Sequence, residues 1–238
     1  MSGGLQGLLA VQDLDIGLDQ LRHRRGHLPE RTEMAVVERT VSELEAELVG
    51  LEEERERLGR QQAAAETELA ATESRVAAID RRLYGGDVAA ARDLQAMTAE
   101  VAHLKERASD LEDTVLAVMG EIEPLDERAG ELRRRLDELA AQRAALVESL
   151  ARSVASLDAD AAERAAQREA AAAAVDESLL ATYEKLRGRL GGIGVARLVG
   201  NHCDGCHLTL SAVELDQVRH LGEGQIYTCE QCSRILVP

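Results

Sequence analysis

The chain has 238 residues, with 44 acidic and 28 basic side chains, a formal net charge of −16, no Trp, no Phe and only three Tyr. Thick globular cores draw much of their buried area from aromatics, so this composition excludes an ordinary aromatic-filled globule and points to long helices rich in Ala, Leu, Glu and Arg. A surface this acidic is a poor general ligand for nucleic-acid phosphates, and no stretch approaches the ~18 apolar residues needed to cross a bilayer.

The N-terminus, Met-Ser-Gly-Gly-Leu-Gln, lacks the basic region and apolar run of a signal peptide. These features predict a cytoplasmic protein with no membrane association. In a reducing compartment its four cysteines are poor candidates for structural disulfides. Residues 5–28 read as a first helix, whose Leu14, Leu18, Leu21 and Leu28 face the far end of a longer one. Pro29 disfavours helix at Leu28 and suits a helix start, so a break is expected near 28–29.

From Val37, apolar residues recur at alternating steps of four and three: Val41, Leu44, Leu48, Leu51, Leu58, Ala65, Leu69, Val76, Ile79 and Leu83, interrupted at Arg55, Gln62 and Thr72. Outside this stripe the charges are interleaved, as in Glu52-Glu53-Glu54-Arg55-Glu56-Arg57, which supports exposed helix faces carrying i,i+4 pairs. A second series with the same period runs from Leu94 through Val101, Leu111, Val118, Leu132 and Leu139 to Leu157, with Arg143 and Ser153 as exceptions. A period of about 3.5 residues sustained this long defines a left-handed coiled coil. Gly85 and Gly86 supply the turn between the series, and a connection this short makes the helices antiparallel. Folding back there sets Leu83 near Leu94, and Leu58 near Val115 or Val118. About 75 paired residues at the helical rise would give a rod of roughly 110 Å. Pro124 should kink the second helix without ending it, because the heptad phase continues through it. Arg55, Gln62 and Arg143 at seam positions fit register control; a partner docking where the seam opens is the alternative.

Four glycines between Gly188 and Gly194 read as the end of the helix and the start of a neck. Beyond it stand two C-x-x-C pairs, Cys203 with Cys206 and Cys229 with Cys232, a strong zinc pattern. Each pair brackets a turn that aims two sulfurs at one metal, and Gly205 is expected to take a left-handed backbone there. Four thiolates close the tetrahedron and leave no open position for substrate. One pair could instead cycle as a redox dithiol, and sulfur tetrahedra also hold iron; two pairs at ribbon spacing favour one structural zinc. His202, His207 and His220 then stand near the site without ligating. Ser211-Ala212-Val213-Glu214 reads as a capping box opening a short helix, and Ile226-Tyr227-Thr228 and Ile235-Leu236-Val237 as short strands. The domain reading is a hairpin over 1–187 with its tip at about 84–93, a neck over 188–200 and a zinc ribbon over 201–238. The fold class is mainly α: a long antiparallel coiled-coil hairpin with a small C-terminal β ribbon.

The residues Cys203-Asp-Gly-Cys206-His207 and Cys229-Glu-Gln-Cys232-Ser-Arg234-Ile235-Leu236 resemble the bacterial C4-type zinc-ribbon, coiled-coil family, and so do Arg92 to Met97, Leu104-Lys105, Leu111 to Asp113 and Leu179 to Arg187. The Ala- and Arg-rich character is similar to an actinobacterial member. The family usually has a glycine where this chain has Ser233. The resemblance implies an adaptor and not an enzyme: some relatives are similar to chaperones for an alternative sigma factor and for export components, and RNA binding has been proposed for such proteins.

On these grounds the expected function is a non-enzymatic adaptor that binds protein partners through the ribbon and the hairpin tip. At the tip Tyr84, Val88, Ala90 and Leu94 are the candidate contacts, although small residues there also serve a tight turn. The other candidate is a nucleic-acid-binding ribbon using Lys185, Arg187, Arg189 and Arg197 at the neck, whose simpler role is to complement a helix C-terminus. Residues 201–238 hold five acids against Arg219 and Arg234, the wrong sign for a phosphate-binding module. No phosphate loop, nucleophile arrangement or isolated carboxylate pair stands out, so neither catalysis nor a small-molecule substrate is expected.

Overall fold

The computed structural model describes residues 3–85, 90–222 and 225–238. In chain order it comprises α1 (Gly3–Gly26), α2 (Pro29–Tyr84), α3 (Ala91–Ala173), α4 (Glu177–Arg189), β1 (Val195–Val199), β2 (His202–Cys203), α5 (Ala212–Arg219), β3 (Tyr227–Thr228) and β4 (Ile235–Val237). The chain divides into two compact units: Met34–Ala145, and Met1–Glu33 together with Leu146–Pro238.

The first of these units is an antiparallel hairpin of α2 on α3. The heptad positions are the buried ones. Val37, Leu58, Ala65, Thr72 and Ile79 on α2, and Val101, Leu111, Val118, Ala129, Leu132 and Leu139 on α3, are all nearly inaccessible. Ion pairs cross the hairpin with α3 numbers rising as α2 numbers fall: Glu100 with Arg75 (2.5 Å), Arg107 with Glu68 (2.7 Å), Asp126 with Arg55 (2.5 Å) and Arg128 with Glu47 (2.8 Å). That order fixes the antiparallel register. Each pair is solvent-exposed and contributes little by itself, so the seam carries the stability. The polar seam residues resolve individually. Arg55 is exposed and bound to Asp126, Gln62 donates to Glu66 at 2.7 Å, and buried Thr72 returns its hydroxyl to the Glu68 carbonyl at 2.8 Å. α3 continues through Pro124.

In the second unit the neck, residues 188–200, contains β1, an inner strand of a four-stranded sheet ordered β2-β1-β4-β3. β1 runs parallel to β4, with Val195 opposite Ile235, and antiparallel to β2; β3 runs antiparallel to β4. Gly191 (φ 72°) and Gly192 (φ 100°) make the reversal that brings the chain from α4 into β1. Gly194 is fixed by space, since a Cβ there would lie 3.0 Å from the Tyr183 ring and 3.1 Å from the Tyr183 carbonyl.

Strand alternation gives this sheet a core on each face. Val195, Ile235 and Val237 pack with Leu8, Leu9, Val11, Tyr183 and Leu186 from the helices. Ala196 and Leu236, the neighbours that point the other way, pack with Cys203, Leu210, Val218 and Cys229 of the ribbon. α1 is thus more than a short extension of the coiled coil. Leu18 and Leu21 are buried and Leu14 and Leu28 half-buried, in keeping with the leucine stripe, but the least accessible α1 residues are Leu8 and Val11, in the core shared with the sheet.

Candidate metal centre

The four cysteine sulfurs converge, all lying within 4.8 Å of one another. Cys203 Sγ is 3.8 Å from Cys232 Sγ, and Cys206 Sγ is 3.9 Å from Cys229 Sγ. A tetrahedron with zinc–sulfur bonds of about 2.3 Å has edges of about 3.8 Å, so the residues fit one tetrahedral zinc. All four donors are thiols and, among the described residues, no oxygen or imidazole ligand joins them, the composition of a closed structural site. Cys203 and Cys229 are buried, Cys206 and Cys232 half-buried.

The two pairs are built alike. The N–H of His207 donates to the Cys203 carbonyl (2.7 Å), and that of Cys203 to the Leu208 carbonyl (3.0 Å). In the second turn Ser233 donates to Cys229 (2.8 Å), and Cys229 to Arg234 (2.8 Å). The residue after each pair closes the turn in the left-handed region, His207 at φ 62° and Ser233 at φ 58°. This differs from the expectation for Gly205, which has no positive φ. Glycine is required at 205 by crowding: a Cβ there would stand 2.9 Å from Ala196 Cβ and 2.8 Å from Arg234 Cδ. Arg234 ties the halves together, donating to the Gly205 carbonyl (3.0 Å) and to the Ile193 carbonyl (3.2 Å).

Burial pushes the Cys203 thiol up to about 12 and raises that of Cys229. At Cys232 burial acts in the same direction but is outweighed by hydrogen bonds, led by the Arg234 backbone N–H, and the thiol falls below its ordinary value. A bound dication reverses the burial penalty and holds coordinating thiols as thiolates. His202 is half-buried and His207 and His220 are exposed; none belongs to the sulfur cluster. The predicted capping box is present, with Glu214 N–H donating to Ser211 Oγ (3.3 Å) and Ser211 N–H to Glu214 Oε2 (2.7 Å).

The other predicted residues are scattered. Tyr84 ends α2 and is 83% exposed, Ala90 is exposed at the start of α3, and Leu94 is half-buried. Val88 lies outside the described residues. Of the basic set, Lys185, Arg189 and Arg197 are exposed, but Arg187 is committed to the interior. Its guanidinium donates to Asp19 Oδ2 (2.6 Å) and stands 3.5 Å from Asp15 Oδ2.

That contact belongs to a buried polar cluster which pattern reading did not pick out. Asp15, 3% exposed, accepts from Tyr183 Oη (2.8 Å) and Arg168 Nε (3.0 Å). One turn earlier Gln12 behaves like a missing strand, accepting from Val195 N–H (2.7 Å) and donating to the Val195 carbonyl (2.9 Å). A signal was present in the sequence: Gln12 and Asp15 occupy the apolar face marked by Leu8, Val11 and Leu18, and polar residues in such phase need buried partners.

A closed four-thiolate ribbon joined to a helical hairpin defines a structural zinc protein with no open coordination position. Residues 11–191 match the CT398-like coiled coil hairpin domain, and residues 202–236 match the C4-type zinc ribbon domain. The chain belongs to the CT398-like coiled-coil hairpin family. An uncharacterized protein of Mycobacterium tuberculosis is 29% identical over 232 residues, covering 98% of this chain and 94% of the relative. A solved structure from Mycobacterium smegmatis superposes with a TM-score of 0.87 at 26% identity, covering 100% of this chain and 99% of the other. CT398 from Chlamydia trachomatis shares the fold, with a TM-score of 0.70 at 22% identity over 98% of this chain and 96% of that one.

Proposed function

We propose that the protein is a non-enzymatic, zinc-dependent adaptor that binds protein partners through the hairpin tip and the ribbon. The observation that carries this reading is Tyr84, an aromatic left 83% exposed where α2 ends, in a chain with only three tyrosines. Aromatics so placed are typical interface anchors. The ribbon adds exposed Leu208 and Val213, and its all-thiolate site serves as a scaffold rather than a reaction centre. The nucleic-acid reading loses support because Arg187 is held by Asp15 and Asp19. The test is affinity capture with crosslinking from host extract, comparing the intact chain with a Tyr84→Glu, Ala90→Glu variant. Loss of specific partners with unchanged melting supports the reading; recovery of the same partners reduces the tip to a turn. RNA binding with steep salt dependence, abolished by Arg189→Glu with Lys185→Glu, would put nucleic acid in its place.

A further inference from the structure

Beside α1, a groove of about 450 Å³ is lined by Ile16, Asp19, Gln20, His23 and Arg24 on one side and by the Gly191-Gly192-Ile193 turn on the other. Its floor is aliphatic side chain and glycine backbone, and Ile193 remains 37% exposed. The rim carries two cations that make no ion pair among the described residues, Arg24 in the last turn of α1 and Arg189 in the last turn of α4, while their neighbours Arg25 and Arg187 are paired with Asp158 (2.7 Å) and Asp19 (2.6 Å). The acidic lining residue, Asp19, is already bound by Arg22 (2.6 Å) and Arg187 (2.6 Å). Both helices also end here, and the partial negative charge of those C-termini is met by these same cations.

We propose that this groove is a docking site for an acidic amphipathic peptide segment, seating an aliphatic side chain against Ile16 and Ile193 with flanking carboxylates on His23 and Arg24. The proposal rests on the adaptor reading but places a partner on α1 instead of the tip. Charge complementarity selects the occupant: the one acid of the lining, Asp19, is neutralised by Arg22 and Arg187, so a basic segment would meet Arg24 uncompensated, while an acidic one is attracted to it. The net charge of −16 does not prevent this, because at physiological salt, charges farther than about 8 Å away are largely screened. The lining contains no Phe, Tyr or Trp, and the imidazole of His23 is already stacked on that of His27 with ring centroids 4.0 Å apart, which disfavours stacking of single-stranded nucleic acid.

The test uses the zinc-loaded full chain and a fluorescein-labelled peptide of repeating Glu-Glu-Leu-Leu, read by anisotropy. Controls replace Glu with Lys, replace Leu with Ser, or substitute an oligouridine of similar length. The expected result is binding of the Glu/Leu peptide alone, weakened about tenfold or more by Arg24→Glu and by Ile193→Asp. Arg24 is exposed, so its exchange leaves the fold intact, and zinc content and circular dichroism confirm this for both variants. No binding at protein concentrations up to about 1 mM, equal binding of the Lys peptide, or affinity indifferent to both substitutions would overturn the groove. Oligouridine binding that Arg24→Glu removes would overturn the peptide as occupant. Partners captured in a Tyr84-dependent manner while the peptide fails would leave the adaptor reading standing and reject the groove alone.

Discussion

Ser233 sits at φ 58°, in the left-handed region that favours glycine. A non-glycine residue in the left-handed region costs about 1–2 kcal/mol, partly offset by the larger entropy that glycine loses on folding. Ser233→Gly should therefore tighten the second turn and raise zinc retention by about fivefold, equivalent to about 1 kcal/mol, in competition with a chromogenic chelator. Unchanged or weaker retention would show that the turn carries no strain. Asp15 makes the opposite case. Its carboxylate is buried among Tyr183, Arg168 and Arg187, so Asp15→Asn removes the buried counter-charge these two arginines share and leaves them only their more exposed partners, Glu184 and Asp19. Breaking a buried pair in this way costs about 3 kcal/mol. Tyr183→Phe, which removes one hydroxyl donor, should cost about 1 kcal/mol. Urea unfolding of both variants checks the ranking, and equal losses would mean that Asp15 is held by the hydroxyl alone.

Among the elements, α1 and β1 are joined by a side chain that pairs with backbone. The Gln12 amide forms two hydrogen bonds with the Val195 backbone, and Val195 precedes Ala196, which packs beside Cys203 and Cys229. The core that holds the cysteine ligands therefore packs on one face of β1 while α1 holds the other. Chelation should raise amide hydrogen exchange in α1 as well as in the ribbon. Gln12→Leu, which leaves the Val195 N–H and carbonyl without partners, should raise α1 exchange with zinc still bound. Chelation that leaves α1 protection unchanged would separate the two elements. This linkage explains what was legible in the sequence. The heptad stripes and the paired cysteines are local patterns with a fixed period or spacing, and both were read directly. The sheet's two cores were not, because Val195 and Ile235 are distant in sequence and meet only in parallel register, while the four glycines resemble a linker until the close approach of Gly194 to Tyr183 is seen. Gly205 is needed because of crowding and not for its backbone angle: the close approach of Ala196 is a tertiary fact that no local rule supplies.

At the scale of the whole molecule, the two compact units depend on different forces. Met34–Ala145 is held by the repeating α2–α3 seam and contains no cysteine. The other unit spreads its apolar area over two small cores on either side of a four-stranded sheet, and one of those cores contains the zinc ligands Cys203 and Cys229. Small cores of this kind draw a large part of their stability from the metal. Calorimetry should therefore resolve two transitions. Removing zinc, or replacing Cys206 and Cys229 with Ser, should lower the transition of the cysteine-bearing unit and leave that of Met34–Ala145 in place. The loss of helical circular dichroism should exceed what α5 contributes, because α1 and α4 share a core with β1 and β4. If only the α5 signal is lost, the helical face of the sheet is stable without metal. A single transition that moves as a whole would mean instead that the continuous helices α2 and α3 melt both units together.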